Sequence, residues 1–404
     1  MSESVSGRSS GALSESVSRH NDRTFVERAS GSSAHASRSP GDTAADESQI
    51  RPVIGRFAPS PTGRMHVGNA YVALAAWLAA RAAHGRIRLR IEDIDVERNR
   101  PDADRWIMDD LSWLGLDWDG DVVYQSQRID CYDEALQRLQ SQWLCDENDE
   151  TPSAAGKQPL VYPCFCTRAD LKAASAPNAG DGFRVYAGTC RRIPSARRRL
   201  RVAAGDRYAL RVAVPQDCHD SCAKVDVVDS VYGPQHFNLA RDIGDTVIRR
   251  SDGEYAYQFA VSVDDRAMGV NHIVRGRDLL PSTAIQQWIK QHLGTGDGAS
   301  STPVSTEYLH LPLIVDAGGR RLAKRHADLD LGALRERHVE PELVIGWCAY
   351  WLGLIDCPYP CQAADLIAKF STARLNRHHE DIHLHSQSLQ AMGMSWEQGR
   401  SLLG

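Results

Sequence analysis

Several groups of residues in this chain have the types and spacing to do chemistry. The first is the loop Arg56-Phe57-Ala58-Pro59-Ser60-Pro61-Thr62-Gly63-Arg64-Met65-His66-Val67-Gly68-Asn69. It follows a short apolar run and opens a stretch of helical patterning, which puts a histidine and a glycine at the mouth of a helix. Unsatisfied N–H groups and the positive end of the helix dipole suit that position to phosphate. His66 can donate a hydrogen bond to a phosphate oxygen, and Gly68 lets backbone approach a nucleotide closely. A plain structural turn is the competing reading. The second group is Gly318-Gly319-Arg320-Arg321-Leu322-Ala323-Lys324-Arg325. Its glycines give mobility and its cations suit a clamp over the charge developing on a polyphosphate. A solvated basic turn competes. Only 6 of the 47 basic residues are lysine, so Lys324 stands out as a compact point charge. The third group, Cys164-Phe165-Cys166 with Cys190 downstream, supplies three soft ligands for a tetrahedral zinc ion, unless the thiols cluster by chance.

These groups need elements to hold them. Val53 to Phe57 predicts a buried strand, Gly68 to about Ala83 a helix closed by Gly85, and Ile87 to Ile91 a second strand. The acidic cluster Glu92, Asp93 and Asp95 follows at its carboxyl end. Strand, crossover helix and strand make the βαβ unit of a parallel sheet, whose carboxyl ends are where ligands bind. Further strands are expected at Tyr208 to Val214 and Thr246 to Arg249, and a helix at Ser282 to Leu293, with mainly helix from 328 onwards. Residues 146 to about 160 read as a polar surface loop.

Composition narrows the class. The 404 residues are 42% hydrophobic and 25% charged with net charge −5, which excludes a globally basic nucleic-acid binder. No apolar run reaches the ~20 residues that span a bilayer. No basic and apolar leader is evident, so the ten scattered cysteines are expected as thiols or metal ligands in a reducing cytoplasm. Residues 1–50 hold 14 serines and one aromatic, Phe25, and are expected as a disordered tail. The arginines at 191, 192, 197, 198, 199 and 201 suit RNA phosphate or a solvated face about equally. His378, His379, His383 and His385 are expected as polar surface rather than a metal site.

The two loops together resemble the signatures of class I aminoacyl-tRNA synthetases, the first as HVGN in place of HIGH and the second as RLAKR in place of KMSKS. RFAPSPTG, LRIEDID, WLGLDWDGDVVYQSQR, YAYQFAVSVDD and HIVRGRDLL are similar to glutamyl-tRNA synthetases, in order, across residues 53 to about 330. Asn69 departs from the family's last histidine, and Arg321 and Ala323 from its first lysine and its serine. The 79 residues after Arg325 are too few for a full anticodon-binding region, and the pattern is similar to the truncated glutamyl-queuosine tRNA(Asp) synthetases. Ordinary glutamyl-tRNA synthetases and an inactive RNA-binding paralogue are the alternatives.

The resemblance implies an α/β fold: a Rossmann-like parallel sheet in two halves, 51–160 and 251–327, split by a zinc-bearing insert at 161–250 and followed by a helical region at 328–404. It implies a monomeric ligase that activates L-glutamate with ATP and Mg²⁺ without tRNA, then esterifies queuosine in tRNA(Asp). Arg56, Glu92, Tyr257 and Arg275 match the glutamate-binding residues, with Phe57, Ala58, Pro59 and Ser60 along the loop. His66, Gly68, Asn69 and Lys324 match the ATP-binding and catalytic positions. Tyr186, four residues before Cys190, matches the fourth zinc ligand beside Cys164, Cys166 and Cys190. Two carboxylates and an ammonium call for cationic forks and one anion, which these residues provide.

Overall fold

The first crossover sets the architecture. Strand β1 (Ile54–Phe57), helix α1 (Val67–Ala82) and strand β2 (Arg86–Ile91) follow one another, and the strands pair in parallel with Gly55 opposite Ile87. The structure is a computed structural model and describes residues 52–144, 158–167, 169–170, 185–216, 223–294, 305–316, 318–319, 330–375 and 379–384. The expected tail at 1–50, residues 146–157 of the loop expected to run to about 160, His378, His385 and the cations Arg320 to Arg325, Lys324 among them, lie outside the described residues, while the loop's last residues, 158 and 159, form a short strand.

Helix α2 (Ala103–Trp113), strand β3 (Val123–Tyr124) and helix α3 (Ile129–Gln140) come next, then strands β4 (Trp143–Leu144), β5 (Gln158–Pro159) and β6 (Val161–Cys164). Helix α4 (Ser195–Ala203) precedes strands β7 (Ala209–Val212), β8 (Lys224–Asp229), β9 (Gly233–Asn238) and β10 (Thr246–Arg249). Helix α5 (Tyr257–Ala267), strand β11 (His272–Gly276), helix α6 (Ser282–His292) and strands β12 (Glu307–Leu311) and β13 (Ile314–Val315) complete the second half. Helices α7 (Leu331–Glu336) and α8 (Pro341–Trp351) and strand β14 (Ile382–His383) end the described chain.

The main sheet has seven strands in the order β3-β2-β1-β11-β12-β8-β9. All its pairs are parallel except β8 with β9, so the sheet is mixed rather than wholly parallel as expected. The exception has a local cause. Residues 230–232 join β8 to β9 in a tight hairpin that Gly233 enters at φ 70°, and a tight hairpin makes neighbours antiparallel. The segment expected as an insert thus feeds two sheets, because β6, β7 and β10 form a separate antiparallel one.

Helix α1 lies at the centre of the larger core. It is alanine-rich and packs on β1, β2, β11 and α8, which small side chains on nearly every face permit. Its exit differs from expectation. His84, not Gly85, takes the left-handed conformation at φ 51°. Gly85 is needed for space, since a Cβ there would stand 2.3 Å from the Val53 carbonyl oxygen. Gly85→Ala is therefore expected to destabilise the fold by about 1–3 kcal/mol, while His84→Gly relieves strain and leaves stability equal or higher. Thermal unfolding of the two variants checks the assignment.

Candidate active site

The carboxyl ends of β1, β2 and β11 deliver Arg56, Arg90 with Glu92, and Arg275 to one place. Arg56 and Arg90 are buried, and both reach a single oxygen of Asp265 on α5: Arg56 Nε stands 3.4 Å and Arg90 Nη1 2.8 Å from Oδ1. Arg90 Nη2 then donates to Glu92 Oε1 at 3.2 Å, so the acid expected to receive an ammonium is aimed by a neighbouring guanidinium. Arg56 also donates to the Val274 carbonyl at 3.2 Å, which ties β1's charge to β11. Burial dominates both titrations at the cleft: it lowers the Arg56 pKa and raises that of Glu92, against the pull of nearby opposite charges. The three neighbouring cations Arg90, Arg56 and Lys290 outweigh burial at Asp265 and hold its carboxyl well below the usual range.

Asp264, next to Asp265, serves the other side. It accepts from Gln125 at 2.7 Å, Arg128 at 2.6 Å and Tyr132 at 2.9 Å, and so joins α3 and the segment before it to α5. Tyr257 begins α5 and remains 39% exposed, its ring open to the cleft.

Arg275 has different surroundings. It is 4% exposed, yet among the described residues no carboxylate pairs with it. Its Nε donates to His310 Nε2 at 3.0 Å, Nη1 to Gln286 Oε1 at 2.8 Å and Nη2 to Thr283 Oγ1 at 2.7 Å. All three acceptors are neutral, and two of the five guanidinium N–H donors are left over.

The loop after β1 is positioned as a helix cap. His66 is the N-cap of α1, its Nδ1 accepting from the backbone of Gly68 at 3.0 Å and of Asn69 at 3.3 Å. Asn69 Oδ1 accepts in return from the His66 backbone N–H at 3.1 Å, which completes a capping box. With Nδ1 accepting, the ring hydrogen of neutral His66 belongs on Nε2. Gly68 has a second role that sequence did not suggest: a Cβ there would stand 2.9 Å from the His66 ring and break the cap. Asp110 anchors the same loop, accepting from Arg64 Nη1 at 2.7 Å and the Met65 N–H at 3.2 Å. Burial pushes the Asp110 carboxyl up to about 6. Among the remaining loop residues, Ser60 is exposed, Ala58 is half-buried, Phe57 packs in the core, and Pro59 is buried with its carbonyl accepting from the Glu92 N–H at 3.0 Å.

Away from the cleft, the end of β6 and the turn before α4 gather Cys164, Cys166 and Cys190, with their sulfurs within 4.8 Å of one another. Tyr186 Oη stands 3.4 Å from both Cys164 and Cys166 and accepts from the Cys190 N–H at 2.8 Å. The Phe165 N–H donates to Cys190 Sγ at 3.2 Å, and the Arg211 guanidinium lies 3.8 Å from the Tyr186 ring centre. A hydrogen bond from Cys190, with Arg211 close by, draws the Cys164 thiol down to about 4. Among the described residues this is the one cluster of metal-capable His, Cys, Asp and Glu side chains. His379 instead stacks edge-on to Tyr232, and His383 lies in β14. The arginine run divides in two: Arg191 bonds Asp245, buried Arg198 bonds the carbonyls of Cys190 and Arg191, and Arg201 covers Phe165 at 4.0 Å. Arg192, Arg197 and Arg199 face solvent.

Sequence reasoning missed Arg90, Asp264, Asp265 and the partners of Arg275. Charged residues spaced within otherwise apolar strands and helices were the available signal, since a buried charge demands a partner. Residues 52–351 match the family model for tRNA synthetases class I (E and Q), catalytic domain. The chain belongs to that family. It is an enzyme of the ligase type, and relatives named glutamyl-Q tRNA(Asp) synthetase share most of its length. The relative from Symbiobacterium thermophilum is 42% identical and covers 84% of this chain and 98% of its own. That from Nitratidesulfovibrio vulgaris is 41% identical, covering 80% and 93%. A solved glutamate tRNA ligase from Elizabethkingia meningosepticum, in complex with its amino acid, has a TM-score of 0.65 at 25% identity over 83% of this chain and 68% of that one. No helix among the described residues is long and apolar enough to cross a membrane.

Asp265→Asn removes the charge shared by Arg56 and Arg90. Breaking a buried pair on one side costs about 3–5 kcal/mol, and a large fall in the unfolding midpoint is the expected result. An unchanged midpoint in thermal or urea unfolding counts against the shared-carboxylate arrangement.

Proposed function

We propose that this synthetase activates L-glutamate with ATP in the absence of tRNA and then transfers the glutamyl group to queuosine in the anticodon of tRNA(Asp). The observation that carries the amino-acid reading is Arg275, a buried guanidinium whose partners among the described residues are all neutral. Such a cation favours a ligand that brings a carboxylate. Glu92 at the opposite charge suits the α-ammonium, Arg56 supplies a second cation, and Tyr257 lines the open side. The names of the relatives support the tRNA reading.

In the first step the α-carboxylate attacks the α-phosphorus of ATP. A phosphorus–oxygen bond forms to the carboxylate as the bond to pyrophosphate breaks, giving glutamyl adenylate. Mg²⁺ accompanies ATP as part of the substrate. His66 Nε2–H, the amide nitrogen of Asn69 and Lys324 are assigned to the phosphates, where they stabilise the departing charge. In the second step a hydroxyl of the queuosine cyclopentene-diol attacks the glutamyl carbonyl and AMP leaves with the electron pair. No protein nucleophile takes part.

Cys164, Cys166, Cys190 and Tyr186 are assigned as ligands of one structural zinc ion. Ideal tetrahedral zinc places sulfur and oxygen ligands about 3.5 Å apart and two sulfurs about 3.8 Å apart. The Tyr186 separations of 3.4 Å and the Cys166–Cys190 separation of 3.5 Å fit that donor set. The ion would tie β6 to the turn preceding α4, away from the reacting atoms.

Glutamate-dependent ATP–pyrophosphate exchange tests the function. Exchange without tRNA is expected, followed by glutamyl transfer to queuosine-containing tRNA(Asp) and none to the queuosine-free transcript. Exchange only with bulk tRNA present would favour an ordinary glutamyl-tRNA synthetase, and silence under both conditions an inactive paralogue. For the metal, elemental analysis of purified protein is expected to give one zinc per chain, and Cys190→Ala to lose it together with several degrees of thermal stability.

A further inference from the structure

Asp229 ends β8 where the hairpin turns, and its Oδ1 accepts from the N–H groups of Val231 at 3.0 Å and Tyr232 at 2.9 Å. Its Oδ2 stands 2.6 Å from His310 Nδ1 and accepts from the His310 backbone N–H at 3.1 Å. His310, on β12, is fully buried and accepts from Arg275 through Nε2. Those two contacts fix its chemistry. Asp229 takes the Nδ1 hydrogen, and Nε2 can accept from a guanidinium only while it carries none. Burial works the same way, drawing the imidazole pKa down to about 4. The charged groups facing the ring are Asp229 from β8, Arg275 from β11 and Arg56 from β1.

The other acceptors are neutral and held in turn. Thr283 and Gln286 lie fully buried on α6. Gln286 Nε2 donates to Gln258 Oε1 at 2.8 Å, and Gln258 Nε2 to Ser282 Oγ at 2.8 Å. The guanidinium is thus gripped by two elements, β12 and one turn of α6, and none of its three direct acceptors carries a negative charge. A single carboxylate at any of these positions would have neutralised it.

We propose that Asp229, His310, Thr283 and Gln286 form a positioning cage that holds Arg275 as a buried cation deliberately short of a counter-ion, so that the side-chain carboxylate of glutamate completes the charge balance and the side-chain amide of glutamine does not. The cage is the source of selectivity for glutamate over glutamine. This rests on the glutamate reading above. His310 is a positioning residue: it acts through Arg275, with Asp229 holding its tautomer.

The test moves the missing charge into the protein. Gln286→Glu is nearly isosteric, and rotation of the Gln258 amide supplies it with a donor. In pyrophosphate exchange this variant is expected to raise KM for glutamate about tenfold or more, with kcat changed far less, and to lose preference over glutamine. Without ligand its unfolding midpoint is expected to match or exceed wild type, because Arg275 gains an internal partner. Gln286→Met, which adds no charge, is expected to keep the preference for glutamate. His310→Leu is expected to raise KM, and His310→Gln to restore it, since one amide can accept from Arg275 and donate to Asp229. Activation of glutamate by wild type with unchanged KM, preference and midpoint in Gln286→Glu would overturn the cage. If wild type activates no glutamate, the functional reading fails separately, while a raised midpoint in ligand-free Gln286→Glu still supports the charge-deficient cage.

Discussion

Arg56 and Arg90 share one oxygen of Asp265 in a place that solvent barely reaches, and the site is arranged around the cost of that burial. A lone buried charge is expensive, so each guanidinium must find an anion or a set of acceptors. Asp265 satisfies two, Glu92 engages Arg90 from the other side, and Lys290 approaches the second Asp265 oxygen at 3.6 Å. Two acids here face three cations, so losing either acid leaves still more positive charge uncompensated. The constraint also explains why the groups come from β1, β2, β11 and α5: only the ends of adjacent parallel strands, beside a helix crossing them, bring so many charges together without opening the sheet to water.

Arg275 marks where the balance is left incomplete. Its acceptors meet the geometric demand of a hydrogen-bonding group but not the electrostatic demand of a cation. Stability elsewhere must carry that deficit, and the two buried cores, one centred on α1 and one reaching α3, α5 and α6, are large enough to do so. Selectivity at such a site comes from what the protein withholds. An amide substrate can reproduce the contacts at the guanidinium edge but cannot supply the charge.

Much of the frame was legible because local rules agreed with the fold. The βαβ unit followed from Pro59, Pro61 and Gly63 between an apolar strand and an alanine-rich helix, and the strand at Thr246 to Arg249 was read within its observed bounds. What was not legible is that the β8–β9 hairpin joins the main sheet, since β8 finds its parallel partner β12 across some 80 residues of chain. At the site, motif resemblance named the residues proposed to face ligands. It passed over Asp265, Asp229 and His310, whose importance lies in what they touch. Distance along the chain hides those contacts: Asp265 meets Arg56 209 residues away.

Position 69 shows the difference between a signature and its physical work. Read as a degenerate signature, Asn69 is a lost nucleotide contact. In the fold, its side-chain oxygen closes the capping box on the His66 backbone while His66 Nδ1 takes two backbone hydrogens. A histidine there would face the His66 N–H with a ring nitrogen that is an acceptor in only one tautomer, whereas asparagine presents a permanent carbonyl acceptor. Asparagine is also among the better residues for satisfying backbone donors at a helix start. The substitution therefore gives up one imidazole but secures the orientation and tautomer of the other. The capping box thus fixes which ring nitrogen of His66 carries hydrogen, the property that the proposed phosphate contact requires.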